Sequence, residues 1–122
     1  MTDSGTLTWS EVAAFHAVQA GISTRNGKAR SILCNQSKDG EYADEVRADT
    51  IFYRVTSSTN AASVEALKRM VGCGEPVRVY EKLGVNRWLD HSWWMVADCA
   101  PEGEGQLFLL KKSLRPPSEP LG

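Results

Sequence analysis

The residues in this sequence best equipped for chemistry sit in two short stretches. Tyr42 lies in a charged loop beside Asp44 and Glu45, and Tyr53 follows eleven positions on, next to Arg54. A phenol ring offers a flat face for stacking and a hydroxyl for hydrogen bonding. An ionised carboxylate accepts from N–H donors, and a guanidinium pairs with anions through a planar fork. Residue type alone leaves plainer readings open. Tyr53 stands in an apolar strand, where core packing is the ordinary role, and adjacent acids such as Asp44 and Glu45 usually form solvated loop surface. Tyr42, among charged neighbours, is less easily explained by packing.

Other reactive types are scattered. Cys34, Cys73 and Cys99 form an odd set at wide spacing, so a disulfide framework is not expected, and no C-x-x-C or H-x-x-x-H pair points to a metal site. They read as three reduced thiols. His16 and His91 have no partner at a spacing that suggests a nucleophile or a ligand. No nucleophile elbow, Walker loop or paired-carboxylate motif is present, and Asn26-Gly27-Lys28 is too short for a phosphate loop. The expectation is a binding module without cofactor or catalytic residues.

The bulk numbers agree with one domain. The chain has 122 residues, 42% of them hydrophobic, with four Trp to build a core. No apolar run approaches the roughly 18 residues that span a bilayer. Met1 to Thr8 is polar and lacks a signal core, so a cytoplasmic location is expected. The net charge of -1 works against non-specific phosphate binding. Nucleic-acid affinity would need a local basic face: Arg25, Lys28 and Arg30, joined by Arg47, Arg54, Lys82 and Arg87.

The elements that must position these groups follow from local signals. Thr8 and Glu11 have capping-box spacing ahead of Val12, Phe15 and Val18, which predicts a helix from about Ser10 to Ala20, stopped at Gly21. Residues 23–29 read as a polar turn with Asn26-Gly27 at its tip, followed by a strand from Arg30 to Asn35. Ser37 to Asp49 reads as a charged loop and Thr50 to Thr56 as the clearest strand. Asn60 is placed to cap a second helix over about Ala61 to Val71, with Val64, Leu67 and Met70 or Val71 on its apolar side. Strands are predicted at Pro76 to Glu81, Trp93 to Asp98 and Gln106 to Lys111. Arg115 to Gly122 holds three of the five prolines and reads as a tail or linker, leaving 1–114 as the domain. The order predicts an α+β fold, a curved sheet or small β-barrel flanked by two helices.

Several segments in sequence order resemble SRA-like (SET- and RING-associated) domains, which have a PUA-like barrel fold. They are Gly21-Ile22, Ala29 to Leu33, Tyr42-Ala43-Asp44-Glu45-Val46, Asp49-Thr50-Ile51-Phe52-Tyr53, Ala66-Leu67, Gly74-Glu75-Pro76-Val77-Arg78-Val79, Asp90 with Trp94-Met95-Val96, and Leu107 to Lys111. Together they cover roughly residues 21 to 112. The chain departs from the family where Thr-Gly-x-Gly-Gly usually follows the second aromatic; here stand Arg54-Val55-Thr56-Ser57-Ser58. Eukaryotic members also insert a long finger ahead of Gly-x-Pro-Val-Arg-Val, a stretch that is short and mostly helical here. The chain resembles the reduced prokaryotic versions fused to nucleases in modification-dependent restriction systems.

The resemblance implies a reader of modified DNA that receives a flipped cytosine, 5-methyl or 5-hydroxymethyl, between Tyr42 and Tyr53. It implies Glu45, with Asp44 beside it, as acceptor for the exocyclic amine. Backbone groups of the Phe52–Val55 strand would meet other edge atoms, and a recess near Ser31, Ile32 or Leu33 the 5-substituent. Arg54 would contact a phosphate or a polar substituent, and Arg25, Lys28, Arg30, Arg47 and Arg87 the DNA backbone. A nuclease would lie on a fused or separate chain. Two competitors stand beside this: a PUA-like pocket for a free modified or signalling nucleotide or for RNA, and a protein–protein module built on the Trp-rich strand.

Overall fold

The computed structural model describes residues 6–17, 21–35, 44–56, 59–103 and 105–113. Among them run β1 (Thr6–Leu7), α1 (Trp9–His16), β2 (Ile22–Arg25), β3 (Lys28–Cys34), β4 (Glu45–Val46), β5 (Thr50–Val55), α2 (Ala61–Lys68), β6 (Val77–Gly84), β7 (Arg87–Glu102) and β8 (Gly105–Lys112).

Both helices start where their caps predict. The Thr8 hydroxyl accepts from Glu11 N at 3.3 Å, and the Glu11 carboxylate accepts from Thr8 N at 2.8 Å. Asn60 Oδ1 accepts from Ser63 N at 3.1 Å to open α2. Both end earlier than their apolar periodicity suggests. In α1 the stop is Ala17, which adopts a left-handed conformation and donates to Ala13 O. Val18 lies outside the described residues.

The strands pair in the order β2-β3-β6-β7-β8-β5-β4, with β1 attached to β7. Only the β3–β6 pairing is parallel among these; β4, β5 and α2 lie between the two in the chain. Asn26 and Gly27 both have positive φ and turn β2 into β3, so strand continues to Arg25 and resumes at Lys28 inside the stretch expected to be all turn. β7 is far longer than predicted. Its first half pairs with β6 and its second with β8, and register shifts opposite Val79/Tyr80 and at Val96/Asp98 bend it between the two. Ser92, with positive φ, sits at the first of these. This bend curls the sheet, matching the expected curved α+β architecture.

Alternation along the strands buries both faces. Ile32, Val77, Val79, Val96, Phe108 and Leu110 pack with Leu67 and Met70 at α2. On the opposite face Val12 of α1 packs with Tyr80 and Trp88, joined by Leu7, Trp9, Phe15 and Leu33. One helix therefore covers each side. No helix among the described residues is long and apolar enough to cross a membrane.

Candidate functional site

Curling brings the β2–β3 edge of the sheet against the β4–β5 edge, and the seam gathers several predicted site residues. Tyr53 Oη donates to Gly21 O at 3.3 Å, and Leu33 N donates to the same carbonyl at 2.8 Å. Asp44 is the main stitch. It is 1% exposed, and its Oδ1 accepts from Arg54 N and its Oδ2 from Asn35 N, both at 2.9 Å. A carboxylate is tolerated in a dry site only when donors meet its lone pairs, and amide bonds to an ionised acceptor are the stronger kind. Asp44 N also donates to Asn35 O at 3.4 Å. One buried acid thus joins the end of β3 to β5.

Beside the seam opens a cavity of about 660 Å³, within the range of small-molecule pockets. Leu33, Cys34 and Asn35 form the wall from the end of β3, and Tyr53 to Thr56 the wall from the end of β5. The far wall is Trp9 and Trp88, their ring centroids 5.4 Å apart, with Lys82 and Asn86 from around the β6–β7 turn. Tyr53 is at once a core residue, 4% exposed, and part of this wall. Burial pushes its hydroxyl well above the usual phenol range, and the nearby Cys34 and Asp44 act in the same direction. The ring therefore stays a neutral phenol.

Strand register separates the two acids. Glu45 lies opposite Phe52 in the β4–β5 pair, so Asp44 falls beside Tyr53 on the inner side while Glu45 shares the outer side with Phe52 and Arg54. There the Glu45 carboxylate accepts from Arg47 at 2.8 Å and from Arg54 at 3.2 Å. The Arg47 hydrogen bond is the chief cause holding its carboxyl below the usual range; modest burial opposes it and Arg54 adds to the lowering. The expectation that Glu45 walls the slot of Tyr53 is corrected by this parity. Arg54 is likewise bound between Glu45 and Glu102, the latter at 3.1 Å, and braces β4, β5 and β7 from outside. Tyr42 lies outside the described residues.

Ser31 is fully buried under α1, its Oγ 2.6 Å from His16 Nδ1. It shares a face with Leu33 but does not line the cavity, whose wall takes Leu33 and Cys34 at the end of the strand. His16, read from sequence as an ordinary residue, is thus a buried anchor of α1. The expected basic face is dispersed. Arg25 and Lys28 flank the β2–β3 turn, about 20 Å along β3 from its cavity end. Arg30 lies over the Phe15 ring at 4.3 Å, and Arg47 sits by the β4–β5 turn. Arg87 begins β7 at the cavity end. Arg78 is held by Asp90 and faces Phe15 and Trp93. Among the described residues no group of three His, Cys, Asp or Glu is arranged to hold a metal, and the cysteines are unbridged.

No protein-family model matches the chain, and no curated protein matches its sequence. Solved structures do match. The SRA domain of SUVH5 in complex with fully methylated CG DNA superposes with TM-score 0.67 at 17% identity, covering 99% of this chain and 97% of that one. KRYPTONITE in complex with mCHG DNA and SAH gives 0.72 at 19%, covering 97% of this chain and 33% of that one. Arabidopsis thaliana SUVH6 in complex with SAM gives 0.61 at 22%, covering 88% and 24%. The fold is SRA-like. At these identities the likeness is one of architecture. The SRA-like frame also brings in residues the sequence did not single out. Cys34 and Asn35 end a strand at the seam, and Trp9 directly follows the Thr8 cap. Asn86 is a left-handed Asn between two strands, the usual sign of a tight hairpin.

Proposed function

We propose that this chain is a DNA-binding reader of a modified cytosine, and that the base leaves the duplex to enter the cavity against Tyr53. The observation supporting this most directly is an aromatic-walled cavity at the seam of a fold whose counterparts in SUVH5 and KRYPTONITE are found with methylated DNA. Sensing a 5-substituent and the pairing edge together requires the base out of its stack. Stacking on one aromatic contributes about 1–3 kcal/mol per base, which offsets an extrusion cost of a few kcal/mol.

In this reading Tyr53 stacks on one face of the base and Tyr42 on the other. Asp44, buried behind Tyr53 with both oxygens engaged by Arg54 N and Asn35 N, sets the position of the two cavity walls and does not meet the base. Glu45 and Arg54 support it from the outer face. Leu33 and Cys34 form the recess for a 5-methyl or 5-hydroxymethyl group. The domain performs no chemistry itself. It is the recognition module of a cytoplasmic modification-dependent restriction or defence system, with cleavage assigned to a fused or separate nuclease.

Fluorescence anisotropy on short duplexes carrying cytosine, 5-methylcytosine or 5-hydroxymethylcytosine tests this. A preference of about tenfold or more for one modified duplex is expected, equivalent to about 1.4 kcal/mol. Tyr53→Leu, checked for an intact melting transition, should lose at least about fivefold, while Tyr53→Phe keeps the ring and should stay near the parent. Equal binding of all three duplexes sinks the reading. Tight binding of a modified mononucleotide without duplex binding replaces it with a free-nucleotide pocket, which the net charge of -1 suits better.

A further inference from the structure

Two unusual features meet in one short turn. Leu83 and Val85 are the exposed large hydrophobics among the described residues, at 41% and 89% exposure. They lie between Lys82 and Arg87, both exposed and in no ion pair among the described residues. Elsewhere Arg47, Arg54 and Arg78 are paired with acids, and Arg69 donates to Gly27 O. The acids nearest the turn are also engaged, Glu81 with His91 and Asp90 with Arg78. Asp90 is balanced by Arg78, so Lys82 and Arg87 stand against the one remaining carboxylate, Glu81, and leave a local excess of positive charge at this end of β6 and β7.

The turn is continuous with the cavity, since Lys82, Asn86 and Trp88 all line it. It is also held in place. Asn86 adopts φ 54 and its Oδ1 accepts from Trp9 N at 2.8 Å, tying the turn to the start of α1. A fixed turn presenting an apolar tip between two cations matches a polyanion with a groove. Ammonium and guanidinium groups position on phosphates, while apolar side chains enter grooves and base steps.

Building on the reading of the cavity as a base pocket, we propose that the β6–β7 turn grips the duplex beside the captured base. Lys82 and Arg87 contact flanking phosphates and Val85 enters the groove. The turn then does work that the short segment ahead of Gly74 has no length to do.

The test compares the parent, Arg87→Ala and Val85→Asp, by anisotropy over a salt series with a 5-methylcytosine duplex and with 5-methyl-dCMP. Both substitutions lie on exposed positions outside the cavity lining, and melting curves verify the fold. Loss of one phosphate contact should lower the slope of log K against log salt by about 0.9. Val85→Asp should weaken duplex binding about tenfold or more, and 5-methyl-dCMP affinity should be unchanged in both variants. A parent that does not distinguish modified from unmodified duplex removes the base-reader reading and this proposal together. A parent that does distinguish them, with both variants matching its affinity and slope, overturns the proposal alone. So does an equal loss for duplex and mononucleotide, because the turn would then be acting on the cavity.

Discussion

Replacing Asp44 tests the seam on which the cavity depends. Its carboxylate accepts from two part-buried amides, Asn35 N and Arg54 N, at 2.9 Å each. Hydrogen bonds to a charged group contribute about 1.5–3 kcal/mol apiece, and a buried donor left without its acceptor costs a similar amount. Asp44→Ala strands both amides and should cost about 3–5 kcal/mol, a large share of the roughly 5–15 kcal/mol that stabilises a domain. Asp44→Asn keeps one carbonyl acceptor but turns an NH₂ toward the other amide, so about 2 kcal/mol should be lost. For a domain of this length that lowers the melting temperature by roughly 6–12 °C. Urea unfolding followed by Trp fluorescence at neutral pH reads the difference directly. Asn35 and Arg54 both line the cavity, so Asp44→Asn should also weaken modified-duplex binding at temperatures where it remains folded. An Asn variant that melts with the parent and binds like it refutes the argument that this acid holds the seam.

Two other outcomes follow from the same structure. A Cβ at Gly105 would overlap the Val55 carbonyl oxygen across the β5–β8 pair, a backbone atom with little freedom to move. Gly105→Ala should destabilise by about 1–3 kcal/mol in thermal melts, and a neutral result would mean that the two strands separate there at no cost. Burial pushes the Asp90 carboxyl upward, but bonds from Arg78 and the Ser92 amide outweigh it and leave the group lowered. A carboxyl depressed in the folded state contributes stability above its unfolded value, and that stability drains away as pH falls below about 4. Urea midpoints of the parent should therefore drop more steeply from pH 7 to about pH 3 than those of Asp90→Asn; parallel profiles would remove Asp90 from acid unfolding.

The elements legible in the chain were those written in short-range chemistry. Thr8 with Glu11 and Asn60 with Ser63 cap their helices through bonds three residues apart, so residue spacing alone locates them. Asn26-Gly27 marks its turn because few other pairs accept two positive φ values in succession. Thr50 to Val55 alternates and is rich in β-branched and aromatic residues, and it became the strand that carries Tyr53. β2 was missed because Ser23, Thr24 and Arg25 look like turn residues. β7 was cut short because Asp90, His91 and Ser92 look like a break, whereas they are the bulge about which the sheet bends.

Long-range pairing settled the rest. Asp44 and Glu45 are adjacent acids with nearly the same chemistry, and no local signal says which one faces Tyr53. That depends on the register of β4 against β5, where a shift of one residue exchanges the two sides of the strand. Ser31 was likewise turned toward His16 by its place under α1, and the cations were scattered because the ends of β3 lie far apart. The seam itself, joining Gly21 and Asn35 to Tyr53 and Asp44, exists only because β7 bends and returns the far edge of the sheet. Residue type chose the groups that could act; the curl of the sheet chose which of them meet, since contacts between distant strands obey the geometry of the whole and leave no trace in any short stretch of chain.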